Sequence, residues 1–189
     1  MTIQKIGFYG FGNLAKRLYL GFDAYCRQQN ISCQIYKRQP FTEFDIHQVD
    51  QQTLITNSDV IILAIKPQQL DSVIDDLKRV DWSRCCLVSL LAGTPIQTFV
   101  DHLPQLKHMI RMMPNTAAEF NQSMTVYSVL KSTKPDYTTF IHDLFQSAGS
   151  VLAIDESQMH FCTALCGSGP AFFYQLCQIL IDQSKKNGF

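Results

Sequence analysis

The sequence predicts an α/β fold built on a doubly wound, parallel β-sheet. Two observations support this prediction: short apolar runs alternate with amphipathic stretches, and some of the apolar runs are continuous. The run Val60-Ile61-Ile62-Leu63 is typical of a strand that is buried on both faces. Because such a strand needs apolar cover on both sides, we expect helices on both faces of the sheet.

The strands and helices follow in order from the amino terminus. The predicted strands are KIGFYG, SCQIYK, DVIILAIK, CCLVSLLAG, LKHMIRMMP, MTVYSVL and SVLAI. The predicted helices are LAKRLYLGFDAYCRQQ, LDSVIDDLKRV and YTTFIHDLFQSAG, the last of which is expected to close at Gly149. Runs rich in β-branched and aromatic residues favour the strands, and a spacing of three to four residues between apolar positions favours the helices.

The pattern changes after Asp155. From Glu156 to about Lys186 the chain is mostly apolar and is interrupted by GSGP at 167–170, which predicts a helix, a glycine-rich break and a second helix. The second helix, AFFYQLCQILIDQSKK, is apolar on too many sides for a solvated surface helix. We therefore expect it to pack against a partner subunit or a further carboxyl-terminal region.

The overall composition disfavours several functional classes. Sixteen basic and sixteen acidic residues cancel, so the net charge does not favour nucleic acid or an anionic membrane as a partner. The amino terminus leads directly into a strand-like segment, and no stretch is expected to reach the roughly 18 apolar residues of a membrane span. The sequence thus indicates a cytoplasmic protein.

The seven cysteines are expected to be reduced thiols. Their number is odd and they form no CxxC pair, which fits neither a disulfide framework nor a zinc ribbon. His160, Cys162 and Cys166 lie close together in the sequence, but they fall inside an apolar helical pattern that is more typical of a core. No metal site is predicted.

A glycine-rich turn follows the first predicted strand. Gly10, Gly12 and Ala15 match the G-x-G-x-x-G/A pattern, and a helical pattern begins near Asn13. Gly10 permits a tight turn, Gly12 lets a pyrophosphate approach the backbone, and Ala15 lets the helix pack on the strand. This context favours a Rossmann-type dinucleotide site with phosphates at the helix amino terminus, and a turn without ligand is the alternative. The residues expected to contact the cofactor here are Tyr9, Gly10, Phe11, Gly12, Asn13 and Leu14.

Two basic residues follow the second predicted strand. Lys37 and Arg38 stand where enzymes specific for NAD commonly carry a carboxylate. An arginine can hold a ribose 2′-phosphate through charge-assisted hydrogen bonds. NADP(H) is therefore favoured over NAD(H), although both residues could instead be solvated side chains at a strand end.

Five sequence blocks resemble the Δ1-pyrroline-5-carboxylate reductase family in order and spacing. The blocks are IGFYGFGNLA at 6–15, AIKPQ at 64–68, SLLAG at 89–93, RMMPNT at 111–116 and TALCGSGPAFFY at 163–174. The resemblance implies hydride transfer from NADPH, or less readily NADH, to the C=N bond of pyrroline-5-carboxylate, which yields L-proline in proline biosynthesis. It also implies a homodimer or larger homo-oligomer formed through the carboxyl-terminal helices.

The same resemblance implies roles for individual residues. Cofactor contacts are expected from Ala64, Ile65, Lys66, Pro67, Leu90, Leu91, Ala92 and Asn115, of which the last four lie beside the nicotinamide. Glu156 and Thr163 are the catalytic candidates: Glu156 matches a family glutamate that contacts the active site from the domain junction, and Thr163 belongs to the interrupted helix that lets the second domain approach the cofactor, for which a break needed only for packing is the alternative. The alternatives are a surface cation for Lys66, core packing for the leucines, a structural turn for Asn115, and a carboxylate at a helix amino terminus for Glu156.

The resemblance also predicts the division of the chain and its limits. Residues 1–154 are expected to form the NADP-binding Rossmann domain, and 155–189 the truncated start of an all-helical segment for dimerisation and substrate binding. An SPGGTT-like segment that holds the substrate carboxylate in the family is absent from these residues. His160-Phe161, Cys166 and Ala117 also depart from the family pattern. Two alternatives therefore stay open: a non-catalytic relative that binds NADP(H), and a reductase of another imine or of a β-hydroxyacid.

Overall fold

The computed structural model describes residues 3–188 and confirms the predicted α/β architecture. The strands are β1 Lys5–Tyr9, β2 Ser32–Tyr36, β3 His47–Gln48, β4 Val60–Leu63, β5 Cys86–Ser89, β6 Met109–Met113, β7 Ser123–Val129 and β8 Gly149–Ala153. They form one eight-stranded sheet in the order β3-β2-β1-β4-β5-β6-β7-β8. Within the described residues, the β6–β7 pair is antiparallel and the other pairs are parallel.

Helices cover both faces of the sheet. They are α1 Asn13–Gln28, α2 Gln51–Asn57, α3 Ile74–Leu77, α4 Ile96–His102, α5 Pro135–Gln146, α6 Met159–Cys162 and α7 Gly169–Lys186. One apolar core contains residues of α1 and α5, and the other contains residues of α2, α3 and α4. Strand β4 contributes Val60 and Ile62 to the first core and Ile61 and Leu63 to the second. Its continuous apolar run is thus explained by burial on both faces.

The strand order places three strand ends together. β1 lies between β2 and β4, with Tyr9 opposite both Tyr36 and Leu63. The backbone N–H of Gly10 donates to the carbonyl of Tyr36 at 3.0 Å, and that of Ala64 donates to the carbonyl of Tyr9 at 2.9 Å. Since the chain order of the sheet reverses between β1 and β4, this edge is the position where doubly wound sheets bind ligands.

Two predicted helices end differently in the structure. α5 ends at Gln146, and Gly149 begins β8 instead of closing the helix. Gly149 has a φ of 144°, and a Cβ atom there would lie 2.1 Å from the carbonyl oxygen of Ser123, so glycine is needed where β8 meets β7. The predicted helix over LDSVIDDLKRV is reduced to α3, which is closed by the Trp82 side chain donating to the carbonyl of Leu77.

Helix α2 was not predicted, although the sequence contains a local signal for it. The Asp50 side chain accepts a hydrogen bond from the backbone N–H of Thr53 at 2.8 Å and caps the helix. The helix has seven residues, so its apolar periodicity covers two turns at most. Short capped helices of this kind are difficult to recognise from periodicity alone.

The expected glycine-rich break near residue 167 is absent. A 3₁₀ turn, Glu156–Gln158, leads into α6, and a π-helical turn, Thr163–Ser168, joins α6 directly to α7. Pro170 lies in the first turn of α7, where a proline needs no hydrogen-bond donor. The glycines therefore widen one turn of a continuous helical run and do not interrupt it.

Helix α7 carries its apolar residues on the surface of this chain. Every residue from 171 to 188 is exposed, and the large apolar residues on it include Phe172, Phe173, Tyr174, Leu176 and Leu180. By length and composition, the run Glu156–Lys186 is also the one helix among the described residues that could cross a bilayer, because an 18-residue window within it has a mean hydropathy of 1.3. This corrects the expectation that no stretch reaches that threshold. The criterion is weak evidence for a span, because helices buried in protein cores satisfy it too.

His108 generates a prediction about pH and stability. It is 3% exposed and stacks on Tyr137, with ring centroids 5.0 Å apart. Burial, with a contribution from the charge of Lys134, lowers the pKa of His108 below its ordinary value of 6.5. Because the unfolded chain then binds a proton more readily than the folded chain, the free energy of unfolding should fall as the pH decreases from about 7.5 to 5.5.

Urea denaturation of the wild type and of a His108→Leu variant across this pH range tests the prediction. The variant should lose part of the slope, whereas His102→Leu, which changes an exposed histidine of α4, should keep it. Equal slopes in the wild type and His108→Leu would exclude His108 as a source of the dependence.

Candidate active site

A crevice of about 470 Å³ lies at the carboxyl ends of β1, β2 and β4. Three chain segments form it: the turn after β1, the residues after β2 and the residues after β4. Its lining consists of Tyr9, Gly10, Phe11, Gly12, Asn13, Lys16, Tyr36, Lys37, Arg38, Gln39, Ala64, Ile65, Lys66, Gln69, Ser72 and Val73. The structure thus brings together most of the residues that the glycine pattern and the two basic residues pointed to.

The turn after β1 leaves the amino terminus of α1 open. Gly10 has a φ of 89°, and a Cβ atom there would lie 2.8 Å from the carbonyl oxygen of Ala64. A Cβ atom on Gly12 would meet no heavy atom of the described residues within 4 Å. Gly12 provides no side-chain cap, and the first turn of α1 contains no acidic residue. The first amides of α1 can therefore donate to an anion that binds beside Gly12.

Lysine and arginine side chains surround the end of β2. Lys37 and Arg38 line the crevice, as does Lys16 from the first turn of α1. The Nζ atoms of Lys16 and Lys37 lie 5.0 and 5.2 Å from the centroid of the Phe41 ring, within cation–π range. Lys16 also forms an ion pair with Glu43 at 2.6 Å. This side of the crevice is positively charged, which suits a phosphate group.

The opposite wall is formed by the segment that follows β4. Ala64, Ile65 and Lys66 line the crevice together with Gln69. The backbone N–H of Lys66 donates to the Gln69 side chain at 3.1 Å, which fixes the 3₁₀ turn Pro67–Gln69. Pro67 begins this turn and is absent from the crevice lining.

The Tyr9 hydroxyl is fixed on the floor of the crevice. It donates to Asp76 at 2.8 Å and accepts from the Gln51 side chain at 2.6 Å. Burial, followed by the Asp76 contact, raises the pKa of Tyr9 well above its ordinary value. The hydroxyl therefore stays protonated and connects α2 and α3 below the crevice.

The residues expected beside the nicotinamide lie outside this crevice. Leu90 and Leu91 follow β5 and are buried in opposite apolar cores, whereas Ala92 is exposed. Leu14, which was expected at the glycine-rich turn, is also absent from the crevice lining and is half-buried on α1. Asn115 follows β6, where its Nδ2 donates to the carbonyl of Cys166 at 3.1 Å. Leu90, Leu91, Ala92 and Asn115 thus lie farther along the same sheet edge, after β5 and β6.

The catalytic candidates lie at the junction between the sheet and the carboxyl-terminal helices. Glu156 Oε1 accepts from the backbone N–H of Ile96 at 2.8 Å and from Arg111 Nη1 at 2.9 Å. The Thr163 hydroxyl donates to the carbonyl of Met159 at 2.7 Å. Arg111 is 1% exposed and was not predicted as a site residue. The signal for it was a single arginine within the otherwise apolar run MIRMM.

Four further residues that the sequence did not point to line the crevice, unlike Arg111. Lys16, Gln39, Gln69 and Ser72 carry polar side chains that no motif distinguished from ordinary surface residues. Lys16 could have been found from helix geometry, because side chains point towards the amino terminus of their helix and Lys16 lies in the first turn.

Two protein-family models match this chain. One, described as NADP oxidoreductase coenzyme F420-dependent, covers residues 5–93. The other, described as pyrroline-5-carboxylate reductase dimerisation, covers residues 156–189. The two matches correspond to the crevice region and to the uncovered helical run.

Individual relatives match almost the whole chain. Pyrroline-5-carboxylate reductase from Pasteurella multocida is 32% identical over 97% of this chain and 73% of its own length. The enzyme of that name from Methanosarcina acetivorans is 31% identical over 100% of this chain and 72% of its own length. A crystal structure of Plasmodium falciparum pyrroline carboxylate reductase with NADP bound superposes with a TM-score of 0.89 at 26% identity, over 100% of this chain and 72% of that one. The chain therefore belongs to the pyrroline-5-carboxylate reductase family.

Proposed function

We propose that this chain transfers hydride from NADPH to the C=N bond of pyrroline-5-carboxylate and produces L-proline. The observation that carries the proposal is the open turn at Gly12 next to the uncapped amino terminus of α1. Open space beside backbone amides suits a pyrophosphate. The relatives from Pasteurella multocida and Methanosarcina acetivorans are both named pyrroline-5-carboxylate reductase, which supports the proposed reaction. NADH is the less favoured cofactor.

The crevice fits the adenosine and phosphate half of this cofactor. Tyr9, Gly10, Phe11, Gly12 and Asn13 would hold the pyrophosphate, since they form the turn and the first amide of α1. Leu14 would add a second amide of the same helix. Lys37 and Arg38 would bind the 2′-phosphate, and Lys16 is a further cation near that position. Ala64, Ile65, Lys66 and Pro67 would form the other wall.

The nicotinamide half is proposed to extend along the sheet edge. In the strand order β1-β4-β5-β6, the end of β6 lies three strand spacings, about 14 Å, from the end of β1. An extended dinucleotide that begins at Gly12 can therefore reach the backbone of Leu90, Leu91 and Ala92 and then the amide of Asn115. The reactive ring would then lie next to the helical run that begins at Glu156.

The remaining chemistry is assigned to the residues around that ring. Bound NADPH supplies the hydride that adds to the imine carbon. Thr163 is proposed as the group nearest the imine nitrogen, because its hydroxyl oxygen keeps acceptor capacity after donating to Met159. Glu156 lies at the same junction, where it contacts the backbone of Ile96 and the side chain of Arg111. The apolar side chains of Leu90 and Leu91 exclude water from this part of the sheet edge.

We also propose that residues 1–154 form the cofactor domain and that 155–189 begin a segment for dimerisation. The exposed apolar residues of α7 and the dimerisation model matched over 156–189 support this division. A second copy of the chain would cover α7, so a homodimer or larger homo-oligomer is proposed, and no membrane partner is required. A cytoplasmic location suits the free thiols of the described residues and the use of NADPH.

The proposed reaction is tested by following NADPH oxidation after addition of pyrroline-5-carboxylate and by detecting proline as the product. Turnover is expected for this chain or for the same chain extended by any downstream coding sequence. If both proteins bind NADPH and neither produces proline, the chain is a cofactor-binding relative without this activity.

The pyrophosphate site is tested by Gly12→Val. The Cβ atom of the new side chain would meet no heavy atom of the described residues within 4 Å, so the fold should persist while the ligand space is filled, and NADPH binding should be abolished. Isothermal titration calorimetry provides the affinity, and Ala24→Val is the matched control because it adds the same branching at an exposed position of α1. Unchanged affinity in Gly12→Val would contradict the assignment of this turn.

The 2′-phosphate site is tested by Arg38→Asp. Loss of a charge-assisted hydrogen bond and gain of a repelling carboxylate should weaken NADPH by at least about tenfold, with little change for NADH. The two dissociation constants are measured by fluorescence of the reduced nicotinamide. Lys131→Asp makes the same charge change at an exposed position outside the crevice and should affect neither cofactor. Equal losses for both cofactors in Arg38→Asp would remove Arg38 from this site.

A further inference from the structure

A row of buried polar side chains crosses β5, β6 and β7. Ser89, Arg111 and Ser128 are directly opposite one another in the sheet register, so their side chains lie on one face. All three are buried. Buried polar groups require hydrogen-bond partners, and the partners here belong to segments outside the three strands.

The two serines connect the row to the proposed nicotinamide loop and to the domain junction. Ser89 Oγ accepts from the backbone N–H of Leu91 at 3.3 Å. Ser128 Oγ donates to the carbonyl of Ile154 at 2.8 Å. Leu91 belongs to the loop 90–95 that follows β5, and Ile154 is the last residue before the carboxyl-terminal segment. One end of the row thus contacts the loop, and the other contacts the start of the helices.

Arg111 and Glu156 join these two segments directly. Arg111 donates to Glu156 Oε1, and the same oxygen accepts from the backbone N–H of Ile96, the first residue of α4, which directly follows the loop 90–95. Within the described residues, neither Nε nor Nη2 of Arg111 has a hydrogen-bond partner. Glu156 is therefore the group that neutralises this buried guanidinium, and its position depends on the pairing.

A second contact fixes the direction of the helical run. Asn115 Nδ2 donates to the carbonyl of Cys166. Cys166 lies ten residues after Glu156, and Asn115 lies four residues after Arg111. Ten helical residues rise about 15 Å. Four extended residues cover about 13 Å. The run from Glu156 to Cys166 therefore lies alongside the end of β6 with matched length, and its two ends are held by these polar contacts.

We infer that Arg111 is a positioning residue that acts through Glu156 to hold the loop 90–95 and the helical run 156–168 in one fixed arrangement. Glu156 serves as the acceptor of this anchor and does not transfer a proton to the substrate. The inference rests on the proposed function, since the loop and the run are the two surfaces between which hydride transfer would occur. Small displacements of reacting groups lower turnover steeply, so the anchor should affect kcat more than cofactor affinity.

The experiment uses Arg111→Met and Glu156→Gln in the full chain. Amide hydrogen exchange at 94–97, where Thr94, Ile96 and Gln97 carry amides, and at 156–168 reports the anchor. NADPH affinity reports the crevice, and the pH dependence of kcat reports proton transfer. Asp155→Asn is the matched control, because the Asp155 carboxylate accepts from the backbone and side chain of Ser157, two residues later, and no hydrogen bond joins it to the loop within the described part of the chain.

We expect exchange in both segments to accelerate at least about tenfold in Arg111→Met, and less in Glu156→Gln, whose amide oxygen can still accept. NADPH affinity should stay within about twofold while kcat falls about 10- to 100-fold. The pH profile of Glu156→Gln should keep its shape. Asp155→Asn should leave exchange at 94–97 unchanged.

Two results would overturn the inference. One is wild-type exchange at 94–97 in both variants, and the other is the loss of one limb of the pH profile in Glu156→Gln, which would make Glu156 a proton-transfer group. If Arg111→Met does not fold, Glu156→Gln decides the question, because it keeps the shape of the side chain. If the wild type oxidises no NADPH, the proposed function fails, and hydrogen exchange alone decides whether the anchor exists.

Discussion

The site depends on the close approach of the turn after β1 to the strand ends on either side. Gly10 donates to the carbonyl of Tyr36 on one side and packs against the carbonyl of Ala64 on the other, where no Cβ atom fits. This contact brings three strand ends to one level and directs the amino terminus of α1 into the space between them. An anion site made of backbone amides costs little, because the amides of a first helical turn lack intrahelical partners in any case.

The order of the strands divides the proposed site into two halves. The ends of β2, β1 and β4 form the crevice, and the ends of β5 and β6 continue the same edge. The antiparallel step from β6 to β7 then reverses the chain, so that β8 delivers Glu156 beside Arg111, below the edge. The helical run must turn back towards the edge from there, and it reaches Asn115 at Cys166. The antiparallel pair thus explains how the carboxyl-terminal helical run starts below the edge of the sheet and returns to it at Asn115.

The sequence predicted the fold and the crevice because their determinants are local. The strand, the turn at Gly10 and Gly12, and helix α1 are consecutive, and the continuous run at Val60 indicates a strand covered on both faces. The junction was harder to predict, because Arg111 and Glu156 are 45 residues apart and their pairing depends on the reversal at β7. The helical run shows the same limit: Gly167 and Pro170 suggest a break in isolation, whereas packing beside Met113 keeps the helix continuous.

Arg111 is buried, and two of its nitrogens have no hydrogen-bond partner among the residues that the structure describes, so it contributes little to stability. Removing a guanidinium from water costs several kcal/mol, and a well-packed apolar side chain in its place is often neutral or stabilising. Arg111 has neighbours on β6 that are all apolar, so Met or Leu would suit the strand itself. An apolar residue could not, however, hold a carboxylate that also binds the first amide of α4. The directional requirement of that contact, which packing alone cannot satisfy, explains why a charged pair occupies the junction between the loop and the helices.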